Sequence, residues 1–354
     1  MSEVGTSEQA IIEAARSRAV IFDRTETRGI LEVSGSDRVR WLDGMISGDV
    51  EAIVAAAAEG RPETGCYATL LTNRGAIVAD LHVGCVGEVL ILESLRSALP
   101  NIAATLDRFI IADDVELKDQ SDAFLTLSLE GPLARSILEA ALEEGSSPPV
   151  SEAWQAAKIA GQEVLIGGFG LSGELAYQIR MSPDARESII AALNTAAESQ
   201  DSAGALVRGS DAAAETLRVE AGIPLLGREL DDDVLPPEAR LERAIAVNKG
   251  CYVGQEIVAR LRARGQVNHL LVGLTLPADA AIELGAELEA DGRKTGEITS
   301  LALSPTAGSI ALGYVRREHS EAGTVVEFAG GQATVTALPF VQGSAAEAET
   351  AEPA

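Results

Sequence analysis

The residue pattern changes character near Gln266, and that change constrains the fold more than any other feature of the chain. Before it, strand and helix signals alternate. After it, short β-prone runs follow one another across turns of Gly, Asp, Pro and Ser: Val272 to Leu276, Ala286 to Ala290, Glu297 to Ser300, Ile310 to Val315, Val325 to Phe328 and Ala333 to Leu338. These predict a C-terminal β-barrel behind an α+β module. A chain of 354 residues with 46% hydrophobic content has material for two or three packed modules.

Within the first part, Ile30 to Val33 reads as a strand, and Ser34-Gly35-Ser36-Asp37 offers a turn and N-cap for a helix containing Val39, Trp41 and Leu42. From Ile77 to Val83, alternation puts Ile77, Ala79, Leu81 and Val83 on one face of a strand and Val78, Asp80 and His82 on the other. Asp80 and His82 therefore lie side by side. Val89 to Leu92 can pair with that strand across a turn, and a helix begins at Pro100 with Ile102, Leu106 and Phe109 on one stripe. Further helices start at Pro132 and at Pro183, the latter with Ser182 as cap. Asp211 to Ala221 is a helix ended by Gly222 and barred from continuing by Pro224. Residues 1–18 are expected to be a flexible lead and 343–354 a disordered acidic tail, leaving modules over 19–265 and 266–342.

The balance of 54 acidic against 28 basic residues, a formal charge of −26, argues against general electrostatic binding to DNA, RNA or an anionic membrane. An anionic ligand would need specifically placed arginine, lysine or backbone amides. Cys66, Cys85 and Cys251 form an odd set without paired metal spacing, which fits a reducing compartment. The acidic, polar start and the lack of a long apolar run predict a cytoplasmic protein with no membrane association.

One short segment concentrates chemistry: Lys249-Gly250-Cys251-Tyr252-Val253-Gly254-Gln255-Glu256. A cation beside a cysteine favours the thiolate, and the flanking glycines permit close approaches. Cys251 is thus a candidate nucleophile or transient metal ligand, with Lys249 lowering its pKa and Gln255 and Glu256 fixing the loop or moving a proton. The alternative is a small buried hydrophobe in an ordinary turn. Gly168-Phe169-Gly170-Leu171-Ser172-Gly173 fits a dinucleotide expression, but a strand follows where that site needs a helix, so it reads as a hairpin turn.

The octapeptide and the following Ile257-Val258-Ala259-Arg260 resemble the signature of the YgfZ family, folate-binding relatives of the glycine-cleavage T-protein that include a mitochondrial iron–sulfur factor. Tyr67-Ala68-Thr69-Leu70-Leu71-Thr72-Asn73-Arg74-Gly75 followed by Asp80-Leu81 is similar to the T-protein stretch that carries a catalytic aspartate. Ser172-Gly173-Glu174-Leu175-Ala176-Tyr177-Gln178 resembles Thr-Gly-Glu-x-Gly-Tyr-Glu, and Leu217 to Gly222 matches Leu-Arg-x-Glu-Ala-Gly.

The resemblance implies interleaved α/β folate-binding subdomains with a C-terminal barrel, a tetrahydrofolate ligand, and a role in iron–sulfur cluster assembly or repair serving cluster-dependent enzymes, including tRNA-modifying ones. It implies Glu174 as the carboxylate on the donor-rich pterin edge, with Tyr67 and Asn73 as further contacts. Tyr177 is either a stacking face or a core aromatic, and Arg218 pairs with a folate carboxylate or with an internal acid. The alternative activity is a tetrahydrofolate-dependent aminomethyltransferase. Against it, Ala79-Asp80 stands where the T-protein pattern has two aspartates, and loss of the proton-handling one would impair transfer.

Overall fold

The computed structural model describes residues 6–200, 206–265, 267–278 and 280–345; of the disordered tail expected over 343–354, Gly343 to Ala345 are described and are held by Ser344 on Glu174, and the rest lies outside the described residues. Two sheets face each other in the first part of the chain. One has the strand order Gly65–Leu71, Ile77–Val86, Val89–Leu95, Arg28–Ser34, Glu116–Asp119. The other runs Val207–Arg208, Val20–Asp23, Leu125–Glu130, Ala176–Met181, Gln162–Gly167, Trp154–Ile159. Strands from both ends of the module meet in the second sheet, where Val20–Asp23 pairs parallel with Val207–Arg208. The subdomains are therefore interleaved.

Period-two patterning sorts each sheet into an apolar and a polar face. In Ile77–Val86, Ala79, Leu81, Val83 and Cys85 join a core with Trp41, Leu42, Ile53, Ile102 and Leu106 from the covering helices Arg38–Asp43, Val50–Ala58 and Leu99–Asp107. In the second sheet, Leu127, Leu129, Tyr177 and Ile179 pack with Ile137, Leu138, Ile189 and Leu193 of helices Ala134–Ala141 and Arg186–Glu198. The uncovered faces turn toward each other. They meet through an apolar cluster of Ile30, Ile91, Trp154 and Phe169 and through buried polar groups.

Six strands close the barrel in the order His269–Thr275, Gly308–Arg316, Arg293–Ser304, Glu287–Ala290, Val325–Phe328, Gly331–Thr336. Val272, Leu274, Leu288, Ile298, Val315, Val326 and Val335 fill it. Helix Asp211–Ala221 ends at Gly222 with φ +70°, a left-handed cap glycine accepts without strain, and docks on the barrel through Val219 against Leu271, Ile310 and Leu312. Beside that contact Arg218 is buried, donating to Glu215, Glu229, Ser300 and the Ile223 carbonyl.

Several local expectations change. The lead expected over 1–18 contains a helix, Glu8–Ser17, capped by Ser7; Ile11, Ile12, Ala14 and Ala15 bury against Val20, Phe22, Ala213 and Leu217. Its apolar residues recur at helical spacing, which the polar flanks conceal. Helix Leu99–Asp107 stops before Phe109, which is 37% exposed. Ser182 makes no side-chain cap bond, because a 3-10 turn over Pro183–Ala185 precedes the helix it was expected to cap.

Replacing Arg218 with methionine leaves Glu229 and Ser300 without their cation in a dry interface. We expect a loss of about 3–5 kcal/mol in folding free energy, measured by urea denaturation.

Candidate active-site cleft between the sheets

Strand Ile77–Val86 delivers Asp80 and His82 to the cleft face, as the alternation requires. Tyr67, on the neighbouring strand, donates its hydroxyl to Asp80 Oδ2 at 2.9 Å. Burial first, and the Asp80 carboxylate second, hold the Tyr67 phenol well above its ordinary pKa, so it remains a donor. His82 stacks on Phe169 at 3.7 Å between ring centroids and bonds Glu152 Oε2 through Nδ1 at 2.7 Å. Glu152 adopts φ +59°, a conformation costly for a side-chain-bearing residue, and it also pairs with Arg243 at 3.2 Å. Arg243 lies over the Tyr67 ring at 4.5 Å.

Tyr67, Glu152, Phe169 and Arg243 border a cavity of about 490 Å³ whose wall also carries Glu174, Tyr177, Arg135 and Arg240, while Asp80 and His82 reach it only through the Tyr67 and Phe169 side chains they touch. The three arginines are exposed, so the cavity combines aromatic walls with cations. Deeper between the sheets, Arg28 makes a bidentate pair with Glu93, both bonds 2.6 Å, and Arg180 stands 3.1 Å from the same carboxylate. Burial alone would raise the Glu93 pKa, but Arg28, then Arg180 and His82, hold it below the usual carboxylate range. Burial likewise opposes ionisation of Glu152, and His82 and Arg243 outweigh it. Burial pushes the Arg180 guanidinium down to about 10, against the pull of Glu93.

Gln178 is a cleft residue that sequence reasoning missed. It is fully buried beside Arg180 on strand Ala176–Met181, donates Nε2 to Ser128 and to the Phe169 carbonyl, and leaves Oε1 without a partner among the described residues. Glu130 Oε2 is unpartnered as well. Two buried acceptors without donors are what a ligand with an N–H-rich edge would satisfy. Alternation from Tyr177 marks Gln178 as facing away from the helices, and that was the available signal.

The remaining expected site residues separate. Glu174 borders the cavity, but its carboxylate receives Arg16 and both the amide and hydroxyl of Ser344, the amide at 2.9 Å. Those partners are distant in sequence, so they were invisible there. Tyr177 is a core aromatic that also reaches the cavity. Arg218 takes the internal-acid alternative, its donors committed to Glu215 and Glu229 at the barrel contact. Asn73 is exposed on the turn joining two strands of the first sheet.

The Lys249–Glu256 segment packs on that same turn and does not border the cavity: a Cβ on Gly254 would come within 2.7 Å of the Thr72 carbonyl. Gly254 has φ +82°, whereas Gly250 faces open space. Lys249 does not spend its ammonium on Cys251. It donates to Asp43 Oδ1 at 3.0 Å and to the carbonyls of Asp43, Ile46 and Gly48, and it approaches the buried Tyr252 ring at 5.5 Å. Cys251 is exposed, Gln255 opens the helix Gln255–Arg264, and Glu256 pairs in solvent with Arg260. The physical reason is desolvation: a buried ammonium needs acceptors on every N–H, and the carbonyl cage supplies them.

Ala79 faces the apolar core with Leu81 and Val83. A carboxylate there would point away from the cleft, so the aspartate this chain retains, Asp80, is the one the cleft can use. That removes the objection drawn from the missing residue.

Comparison with known proteins shows the family. Residues 4–249 match the GCVT N-terminal domain and residues 270–342 the glycine cleavage T-protein C-terminal barrel domain. An aminomethyltransferase of Saccharopolyspora erythraea is 30% identical over 350 residues, covering 96% of this chain and 91% of that protein. One from Bacillus subtilis is 30% identical over 324 residues, 89% and 84% of the two chains. The crystal structure of the glycine cleavage aminomethyltransferase T from Bartonella henselae superimposes with a TM-score of 0.80 at 23% identity, over 95% of this chain and 90% of that one, and it shares the fold. The chain belongs to the glycine-cleavage T-protein family. The expected role in iron–sulfur cluster assembly is overturned, because these relatives are named aminomethyltransferases. Among the described residues no helix is long and apolar enough to cross a membrane.

Lys249→Ala would strand Asp43 and three carbonyls and cost about 3–5 kcal/mol, whereas Cys251→Ser, at an exposed position, should stay within about 0.5 kcal/mol; chemical denaturation of both variants distinguishes them. Acid should also weaken the fold. Glu93 and Glu152 have folded pKa values below those of the unfolded chain, near about 4.3, so their contribution is complete at neutral pH and is lost as pH falls through the folded values. The thermal midpoint should be flat down to about pH 5 and drop below about pH 4, with a shallower drop in Glu152→Gln.

Proposed function

We propose that the protein is a tetrahydrofolate-dependent aminomethyltransferase, transferring a one-carbon unit from an aminomethyl donor to reduced folate. The observation that carries this reading is Asp80, a cleft-facing carboxylate held by the Tyr67 phenol at the edge of an aromatic cavity. The cavity fits a folate: Tyr67 and Phe169 are aromatic walls, and Arg135, Arg240 and Arg243 can meet the carboxylates of the glutamate tail. Those arginines meet the demand an anionic ligand places on a chain of charge −26.

Reduced folate supplies the nucleophilic nitrogen that accepts the carbon. This chain supplies position and proton control. In this reading Asp80 handles the proton at that nitrogen, with Tyr67 fixing its orientation. The His82–Glu152 pair and Phe169 hold the adjoining wall rigid, so that the ring docks in one orientation. Within the family, the Lys249–Glu256 sequence supports placing the chain in the YgfZ-like branch, with the exposed Cys251 thiol as that segment's candidate reactive group.

The test is turnover of an aminomethyl-bearing lipoyl carrier with tetrahydrofolate, read as ammonia and methylenetetrahydrofolate formation. Asp80→Asn should lower the rate by about 100- to 10,000-fold while reduced folate still binds, and Cys251→Ser should leave it unchanged. Absence of turnover by the folded wild-type protein would refute the assignment.

A further inference from the structure

A second cavity, of about 610 Å³, opens between the same two sheets and shares no lining residue with the first among the described residues. The apolar cluster that joins the sheets divides them: Phe169 borders one cavity, while Ile30 and Ile91 border the other. Val86, Val89 and Leu165 complete an apolar wall, and Arg180, only 1% exposed, lines its inner end.

The charge there does not balance. Glu93 is fully buried and already satisfied by the bidentate Arg28 pair, so Arg180 brings a second buried cation to a carboxylate that has neutralised one. Arg180 Nη2 lies 3.1 Å from Glu93 Oε1 but is not aligned to donate to it, and among the described residues Arg180 Nε and Nη2 have no hydrogen-bond partner. A buried guanidinium with unused N–H groups costs free energy until an anion or other acceptor reaches it. Glu143, Glu144 and Glu163 are exposed at the cavity, beside Lys158, and they disfavour a ligand with a second negative charge.

We propose that this cavity is a second ligand site, taking a monocarboxylic acid with an apolar body, whose carboxylate pairs with Arg180 and whose body lies against Ile30, Val89, Ile91 and Leu165. The site is separate from the folate cleft and does not depend on the transfer reaction. A carboxylate at Arg180 supplies the missing acceptor, and a planar guanidinium is suited to receive it.

The full-length protein is titrated calorimetrically with 3-phenylpropanoate and with 3-phenylpropanamide, its uncharged counterpart. Trp154 gives a local readout, since the Arg180 guanidinium carbon is 5.7 Å from its ring and the other of the two tryptophans, Trp41, sits in the first sheet's helical core. The acid should bind saturably and change Trp154 emission, with the amide about tenfold weaker or more. Arg180→Met should abolish the preference for acid over amide; Arg28 still neutralises Glu93 in that variant, so the fold should persist. Ala156→Phe, which fills the cavity from an exposed position, should weaken the acid by about tenfold and leave reduced-folate binding unchanged. If Arg180→Met fails to fold, the acid–amide comparison and Ala156→Phe decide the matter. No binding at millimolar acid, equal affinity for acid and amide, or acid binding untouched by Ala156→Phe would overturn the proposal.

Discussion

One buried carboxylate faced by a guanidinium from each sheet sets the charge in the space between them. Glu93 and Arg28 belong to adjacent strands of the first sheet, and Arg180 reaches the same carboxylate from the second. Such a cluster is expensive to desolvate and gives little net stability over an apolar substitute, but its geometry admits few alternatives. Each sheet spends its apolar face on its own helices. What remains between them is a small apolar cluster and a set of buried polar groups that are imperfectly satisfied, and a gap of that kind is where ligands bind.

The catalytic reading follows from that division of faces. Asp80 is available because the strand's alternation turns it to the cleft, and Ala79 is small and apolar because the same alternation turns it to the core. The Lys249 ammonium, caged by Asp43 and neighbouring carbonyls, acts at a different level: it anchors a long connection to the start of the helix Val50–Ala58, since Asp43 Oδ1 also accepts the Val50 amide at 2.9 Å. Its carbonyl cage makes this lysine a structural cation, independent of any chemistry at Cys251.

Much of the architecture was readable from the residues because it rests on local periodicity. The barrel strands, the Ile77–Val86 strand and the helix ending at Gly222 all announce themselves through alternation or caps. The site was readable only where one face of one strand sufficed, as for Asp80, His82 and, with more attention, Gln178. Glu174 and Lys249 misled because their partners, Arg16, Ser344 and Asp43, lie roughly 160 to 210 positions away, and burial, not neighbourhood, chose them. The resemblance to a signature likewise pointed to a cluster-assembly role, whereas the relatives are named aminomethyltransferases.

The most direct test of the account is a crystal structure of the protein with reduced folate bound. The account predicts the pterin in the cavity beside Tyr67, within reach of Asp80, and its tail carboxylates among Arg135, Arg240 and Arg243. A folate bound elsewhere, with Asp80 still paired only to Tyr67, would contradict it.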